Sequence, residues 1–200
     1  MVERQLRRRG ISDERVLRAM LEVPRELFVP EDLRRRAYRD GALRIGKGQT
    51  ISQPWIVACM AQLLELRGDE TVLEVGTGSG YGAAVLSRLC AEVVTIERFE
   101  SLAAGARTAL AELGYDNVEV RVGDGARGAP DRAPFGGISV TATAIGEPPA
   151  ALFEQLEPGA ALVCPVARGR REHLIRFRDG EAEAVASVRF VPLVSGEPGE

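Results

Sequence analysis

The chain has 200 residues, 45% of them hydrophobic, and a formal net charge of -3. That length suits one domain able to bury roughly 70% of the surface its unfolded chain exposes. The charge excludes a global pull toward nucleic acid or anionic membrane, and the longest apolar run, from Trp55 to Ala61, is far too short to span a bilayer.

Residues 1–50 read as short helices. Six arginines fall within the first eighteen positions (Arg4, Arg7, Arg8, Arg9, Arg15 and Arg18), interleaved with Glu3, Asp13 and Glu14, which reads as a solvated helical face rather than an RNA grip. Ser12 is placed to cap a helix carrying Val16, Leu17, Met20 and Leu21 on one side, and Pro24 and Pro30 punctuate the next stretch. The segment GQTISQP (48–54) then leads into the apolar helix WIVACMAQLLEL, with Pro54 in its first turn and Ser52 or Gln53 at its cap. Ser52 therefore lies at a helix N-terminus, a place that favours anions.

From Thr71 the pattern alternates. Strand TVLEV leads into a glycine-rich turn and a helix over about 81–89; strand EVVTIE, a helix over about 101–113 and strand VEVRVG come next. Strand GISVTA, helix PPAALFEQL and strand AALVCPVA continue it. Repeated βα units imply a parallel sheet with right-handed crossovers. The end differs: HLIRFRDGEAEAVASVRFVPL is two strand-like runs around the turn Asp179-Gly180, and a loose Gly/Pro/Glu tail comes after Val194. Cys59, Cys90 and Cys164 lack CxxC spacing and lie in apolar segments, so they read as buried thiols.

VLEVGTGSGY carries the first chemical signal. Gly76, Gly78 and Gly80 let the backbone turn sharply and approach a ligand, but a dinucleotide fingerprint would want its third glycine at position 81, which is Tyr81. Glu74, two residues before the first glycine, would repel a pyrophosphate and attract a ligand with an ammonium and a sulfonium centre; S-adenosylmethionine fits. Glu97, ending the next strand, is placed to accept from ribose hydroxyls. Asp124, between Gly123 and Gly125, could accept from an adenine amino group. Singly each has a bland reading as a strand-end acid, a capping charge or a turn; together, at the carboxyl ends of successive strands, they favour a cofactor site.

These segments resemble the protein-L-isoaspartate O-methyltransferase family, through VLEVGTGSGYGAAVLS, VVTIER, YDNVEVRVGDG, EQLEPGAALVCPV and, above all, GQTISQP preceded by RELFVPEDLRRRAY. The likeness spans nearly the whole chain. It implies an α/β, Rossmann-like class I methyltransferase fold: a seven-stranded, mostly parallel sheet with an antiparallel last strand, plus N-terminal helices. One domain is expected, with residues 1–53 as helical cap and substrate loop and 54–200 as cofactor-binding core. The implied activity is methylation of the α-carboxyl of L-isoaspartyl residues with S-adenosylmethionine as cofactor. From composition and hydropathy the chain is expected to be cytoplasmic, with no nucleic-acid or membrane partner, and a monomer is expected. The resemblance assigns the active-site serine to Ser52. Gln49, Thr50 and Ile51 line the cofactor and substrate, and Glu74, Gly76, Thr77, Gly78, Gly80, Glu97, Asp124 and Gly125 fall in the cofactor site. A carboxylate is already ionised at neutral pH, so the chemistry needs orientation rather than a general base.

The chain departs from the family pattern in three places. Gly136 and Gly137 come after Phe135 where an aspartate is usual. Residues 141–146 (TATAIG) replace a run of alanines and a proline, and Trp55 replaces a smaller aromatic or histidine. These changes leave open a sibling enzyme that esterifies ordinary aspartate in a dedicated peptide, or a cofactor-binding module without turnover. A nicotinamide oxidoreductase is disfavoured by Tyr81 and Glu74, and an RNA methyltransferase by the lack of an aromatic stacking pattern.

Overall fold

The computed structural model describes residues 1–196; the end of the Gly/Pro/Glu tail, 197–200, lies outside them. The cap opens with short turns at Val2–Leu6 and Arg7–Arg9, then helix α1 (Glu14–Glu22) and 3₁₀ turns at Arg25–Phe28 and Glu31–Arg36. Asp13, not Ser12, caps α1: its Oδ1 accepts from the amides of Arg15 (2.8 Å) and Val16 (3.4 Å), a contribution of about 1 kcal/mol. The Ser12 amide instead donates to Gln62 Oε1. Of the six arginines, Arg7 pairs with Glu3 and Glu14, while Arg15 donates to the carbonyls of Leu66 and Leu89.

The first fifty residues are not all helical. Strands β1 (Leu43–Gly46) and β2 (Gln49–Ile51) form an antiparallel hairpin in which Leu43 faces Ile51 and Arg44 faces Thr50. Its turn is Gly46-Lys47-Gly48, all three at positive φ, which two glycines accommodate without cost. Helix α2 (Pro54–Leu64) comes next, with Gln53 at its N-cap and no side chain capping it, so Ser52 sits one residue outside the cap position.

The core sheet contains β3 (Thr71–Val75), β4 (Glu92–Glu97), β5 (Val118–Val122), β6 (Phe135–Val140), the two-residue β7 (Ala144–Ile145), β8 (Leu156–Arg168), β9 (Arg171–Arg178) and β10 (Glu181–Ser187). Helices α3 (Tyr81–Leu86), α4 (Glu100–Glu112) and α5 (Ala150–Phe153) connect them; α3 and α5 are shorter than the sequence suggests. The strand order is β10-β9-β8-β6-β3-β4-β5, seven strands, with β7 added alongside β8. The strands from β5 to β8 are parallel, β9 runs antiparallel to β8, and the last strand is antiparallel to β9.

Alternation along the strands sorts two cores. Val72, Val93, Ala161 and Val163 face one side, where α1, α2 and α3 pack. Leu73, Val75, Val94, Ile96, Ile138 and Leu162 face the other. Each fully buried leucine or valine contributes about 1.5–3 kcal/mol relative to exposure. Gly136 and Gly137 lie inside β6: a Cβ at 136 would stand 2.5 Å from Glu70 Cγ, so the glycine makes room for Glu70, whose carboxylate accepts from the amides of Arg67 and Gly68. The three cysteines are buried and reduced, and burial pushes their thiols up to about 11 (Cys59) and about 12 (Cys90 and Cys164). His173 is half-buried within β9.

Candidate active site

Strand order reverses between β3 and β6, so the crevice beyond their carboxyl ends is the switch point where open α/β sheets take ligands. The turn after β3 (Gly76–Gly80) opens onto it. Gly76 has φ +98°, and a Cβ there would lie 2.3 Å from Thr141 Oγ1, so glycine is required on both counts. Thr141, just past β6, reaches across the crevice to the carbonyls of Val75 (3.0 Å) and Gly76 (2.7 Å). Gly125 is buried, and a Cβ on it would meet Val75 Cγ1 at 2.4 Å.

Behind the turn stand two buried acids. Glu97 Oε2 accepts from the Gly78 amide at 2.8 Å and Oε1 from the Phe99 amide at 3.1 Å, which locks the carboxylate across the loop. Glu74 is 1% exposed; Thr95 Oγ1 donates to its Oε2 at 2.7 Å, and Thr77 Oγ1 lies 2.7 Å from Thr95 Oγ1. Since Thr95 spends its one proton on Glu74, Thr77 is the donor to Thr95. Burial pushes the Glu74 carboxyl up to about 8, opposed by the Thr95 bond and reinforced by the charge of Glu97. Gly82, in the first turn of α3, leaves room for it: a Cβ there would come within 2.2 Å of Glu74 Oε1.

A cavity of about 640 Å³ joins these groups to the substrate-side segment. Gln49, Thr50, Ile51 and Ser52 share its wall with Glu74, Gly76, Thr77, Gly78, Glu97 and Gly125. Two expected members stand apart. Gly80 is not on the wall; it lets α3 close on α4, since a Cβ would sit 3.3 Å from Ala106 and Leu110. Asp124 also lies off the wall, because its Oδ1 accepts from the Ala126 amide (3.0 Å) and its Oδ2 from the Gly196 amide (2.8 Å).

Several contributors were not singled out by sequence. Residues 188–194 leave the sheet after β10 and line the cavity, pinned where the Thr143 amide donates to Val191 O and the Leu193 amide to Thr143 O (both 2.8 Å). Glu172 Oε2 accepts from Thr143 Oγ1 (3.0 Å) and the Phe190 amide (3.1 Å). Arg25 is fully buried; its Nη2 donates to Ser52 O at 2.7 Å and its Nε to Ala37 O at 2.8 Å. It lies inside RELFVP, but a lone arginine in a charged segment gives no sign of burial. Trp55 acquires a reason: its indole donates to Arg9 O (3.1 Å), and the Arg9 guanidinium stacks 4.4 Å from its ring.

A parallel switch-point sheet, a glycine turn backed by buried acids in place of phosphate-binding cations, and a terminal antiparallel hairpin together define a class I methyltransferase fold. The family model for protein-L-isoaspartate(D-aspartate) O-methyltransferase matches residues 1–198, and the chain belongs to that family. It is 53% identical over 204 residues to a protein-L-isoaspartate O-methyltransferase of Pelotomaculum thermopropionicum, covering all of this chain and 88% of the relative. To that of Azorhizobium caulinodans it is 53% identical over 196 residues, covering 96% and 90%. A solved protein-L-isoaspartate O-methyltransferase superposes with a TM-score of 0.85 at 30% identity, over 100% of this chain and 67% of that one. A second, from Plasmodium falciparum and in complex with S-adenosyl-L-homocysteine, gives 0.83 at 24% identity over 95% of both, a likeness of fold.

Proposed function

We propose that this chain, working as a single methyltransferase domain, uses S-adenosylmethionine to methylate the α-carboxyl of L-isoaspartyl residues in damaged proteins and peptides. The observation that carries it is the opening of the TISQ segment and the acid-backed glycine turn onto one cavity. When bound, S-adenosylmethionine supplies a methyl group on a cationic sulfur. The residues present fit it: Gly76, Thr77 and Gly78 permit close backbone approach, Glu97 offers carboxylate oxygens to ribose hydroxyls, and Glu74 is a buried acid whose charged form gains from a nearby cation. Gly125 keeps the adenine side open, with Asp124 beside it.

On the substrate side, Gln49, Thr50, Ile51 and Ser52 provide hydroxyl, amide and backbone groups that hold a carboxylate without neutralising it. No base is needed, because the attacking group is ionised at neutral pH. What the protein contributes is alignment and exclusion of water, and the 188–194 segment along the cavity serves the second. The altered stretch after β6 fits this function: Thr141 ties down the glycine turn and Thr143 the C-terminal segment, so neither change argues for a different substrate. No helix among the described residues is long and apolar enough to cross a membrane. A monomer in the cytoplasm is the working form we propose.

Peptides of matched sequence carrying L-isoaspartate or ordinary aspartate, each offered with methyl-labelled cofactor, test the assignment. Label on the isoaspartyl peptide alone supports it; equal label on both, or on the aspartyl peptide, rejects it in favour of the sibling esterase.

A further inference from the structure

Arg25 is 0% exposed, yet among the described residues it has no acidic partner within ion-pair distance. Its charge is met by two carbonyls, Ser52 O at 2.7 Å and Ala37 O at 2.8 Å, and by the face of Tyr81 at 4.8 Å. Its Nη1 is buried with no hydrogen-bond partner. A buried cation with an unsatisfied donor is a poor device for stability alone, since an apolar side chain of similar volume would carry no desolvation penalty. Burial accordingly lowers the pKa of the guanidinium.

The contacts show what the arginine joins. Ala37 belongs to the cap, Ser52 directly follows the hairpin that lines the cavity, and Tyr81 starts the helix after the glycine turn. Tyr81 is itself fixed, edge-on to Phe28 at 5.7 Å and donating to Met20 Sδ at 3.7 Å. A trans peptide carries its N–H opposite its C=O, so holding Ser52 O on Arg25 turns the Gln53 N–H away from the cap and sets the direction in which α2 begins. A guanidinium can do this because its fork addresses two carbonyls while its face stacks on an aromatic ring; a lysine cannot do all three.

We propose that Arg25 is a positioning residue for methyl transfer: it fixes the Ser52–Gln53 peptide plane, and through it the groups that orient the substrate carboxylate, against the cap and the glycine-turn helix. The proposal rests on the function proposed above. Arg25→Met keeps volume and removes the fork, while Arg25→Lys keeps charge and one donor. Turnover of isoaspartyl peptide should fall roughly 10- to 100-fold in Arg25→Met, with a smaller loss in Arg25→Lys. The dissociation constant for S-adenosylhomocysteine should stay within about twofold of wild type, as expected when cofactor contacts are untouched.

Because Arg25 acts through Ser52, its loss should be strongly non-additive with Ser52→Ala: in that background Arg25→Met should cost less than about threefold. A purely structural role would give additive losses, and additivity overturns the proposal. Amide hydrogen exchange gives a readout that does not depend on activity. Arg25→Met should speed exchange in residues 49–53 by at least about tenfold while β3 and β4 stay protected. Uniform acceleration across the sheet, or none at 49–53, overturns the proposal. If the wild-type chain modifies no isoaspartyl peptide, the functional assignment fails, and the exchange pattern alone then decides whether Arg25 holds the Ser52 turn.

Discussion

Thr141 Oγ1 stands 2.7 Å from Gly76 O, linking the end of β6 to the turn after β3 across the point where strand order reverses. The hydroxyl occupies the space a Cβ at position 76 would take, so the two residues are a matched pair. Thr141→Val, which keeps the shape and removes the bond, should weaken S-adenosylhomocysteine binding about tenfold, the scale of one partly buried hydrogen bond. Gly76→Ala combines the clash with a positive φ and should weaken it on the order of 100-fold. Isothermal titration checks both.

Glu74 links pH to stability. Its carboxyl is pushed from 4.5 up to about 8 in the folded chain. Between those values the unfolded chain has released a proton that the folded chain keeps, so the cofactor-free protein loses stability as pH rises through this window, levelling off above about 8. Glu74→Gln removes the loss: free of cofactor, it should melt at least about 3 °C above wild type at pH 8 and close to it at pH 5. A cationic ligand favours the charged carboxylate, so affinity for S-adenosylmethionine should rise toward pH 8 in wild type. In Glu74→Gln it should be flat with pH and roughly 10- to 100-fold weaker at pH 8.

Ser52 lies one residue before the N-cap of α2, and no side chain caps that helix. Ser52→Ala therefore should not cost a cap. Expected instead is a loss of turnover of about 10- to 100-fold with cofactor affinity nearly unchanged. Steady-state kinetics with isoaspartyl peptide, alongside titration of S-adenosylhomocysteine, separates the two; equal loss of both assigns Ser52 to cofactor binding.

The 188–194 segment is held at Thr143 and Glu172 and carries an exposed arginine, Arg189. A ligand that fills the cavity should steady it. Saturating S-adenosylhomocysteine should slow tryptic cleavage after Arg189 by about tenfold, and Glu172→Ala should speed it by a similar factor without ligand, as monitored by mass spectrometry.

The βα alternation from Thr71 onward was legible because strands buried on both faces read as apolar runs and the glycine turn punctuates them. The cap was less so. β1 and β2 are four and three residues long, and only the Gly46-Lys47-Gly48 turn between Leu-Arg-Ile and Gln-Thr-Ile marks the hairpin. Ser12 and Asp13 are both good caps; Gln62 Oε1 takes both of their amides, and it is the Asp13 carboxylate that accepts from the first amides of the helix, those of Arg15 and Val16. Within the site, Gly80 and Asp124 were expected from the same spacing but stand off the wall, while Glu74, Gly76, Gly78 and Glu97, at or next to strand ends, could be placed beside the cavity. Arg25, Thr141 and the 188–194 segment could not: their work depends on partners 27, 65 and about 48 residues away, and local pattern carries no record of such pairings.

The most direct measurement tracks the methyl group itself. Wild-type protein is incubated with methyl-labelled S-adenosylmethionine and an L-isoaspartyl peptide, the peptide is isolated in mild acid, and volatile label is collected after brief mild alkali. Nearly all peptide-bound label should leave as methanol, since a carboxyl ester is labile to base. Label that stays on the peptide through alkali, or a peptide that acquires none, would contradict carboxyl methyl transfer at this site.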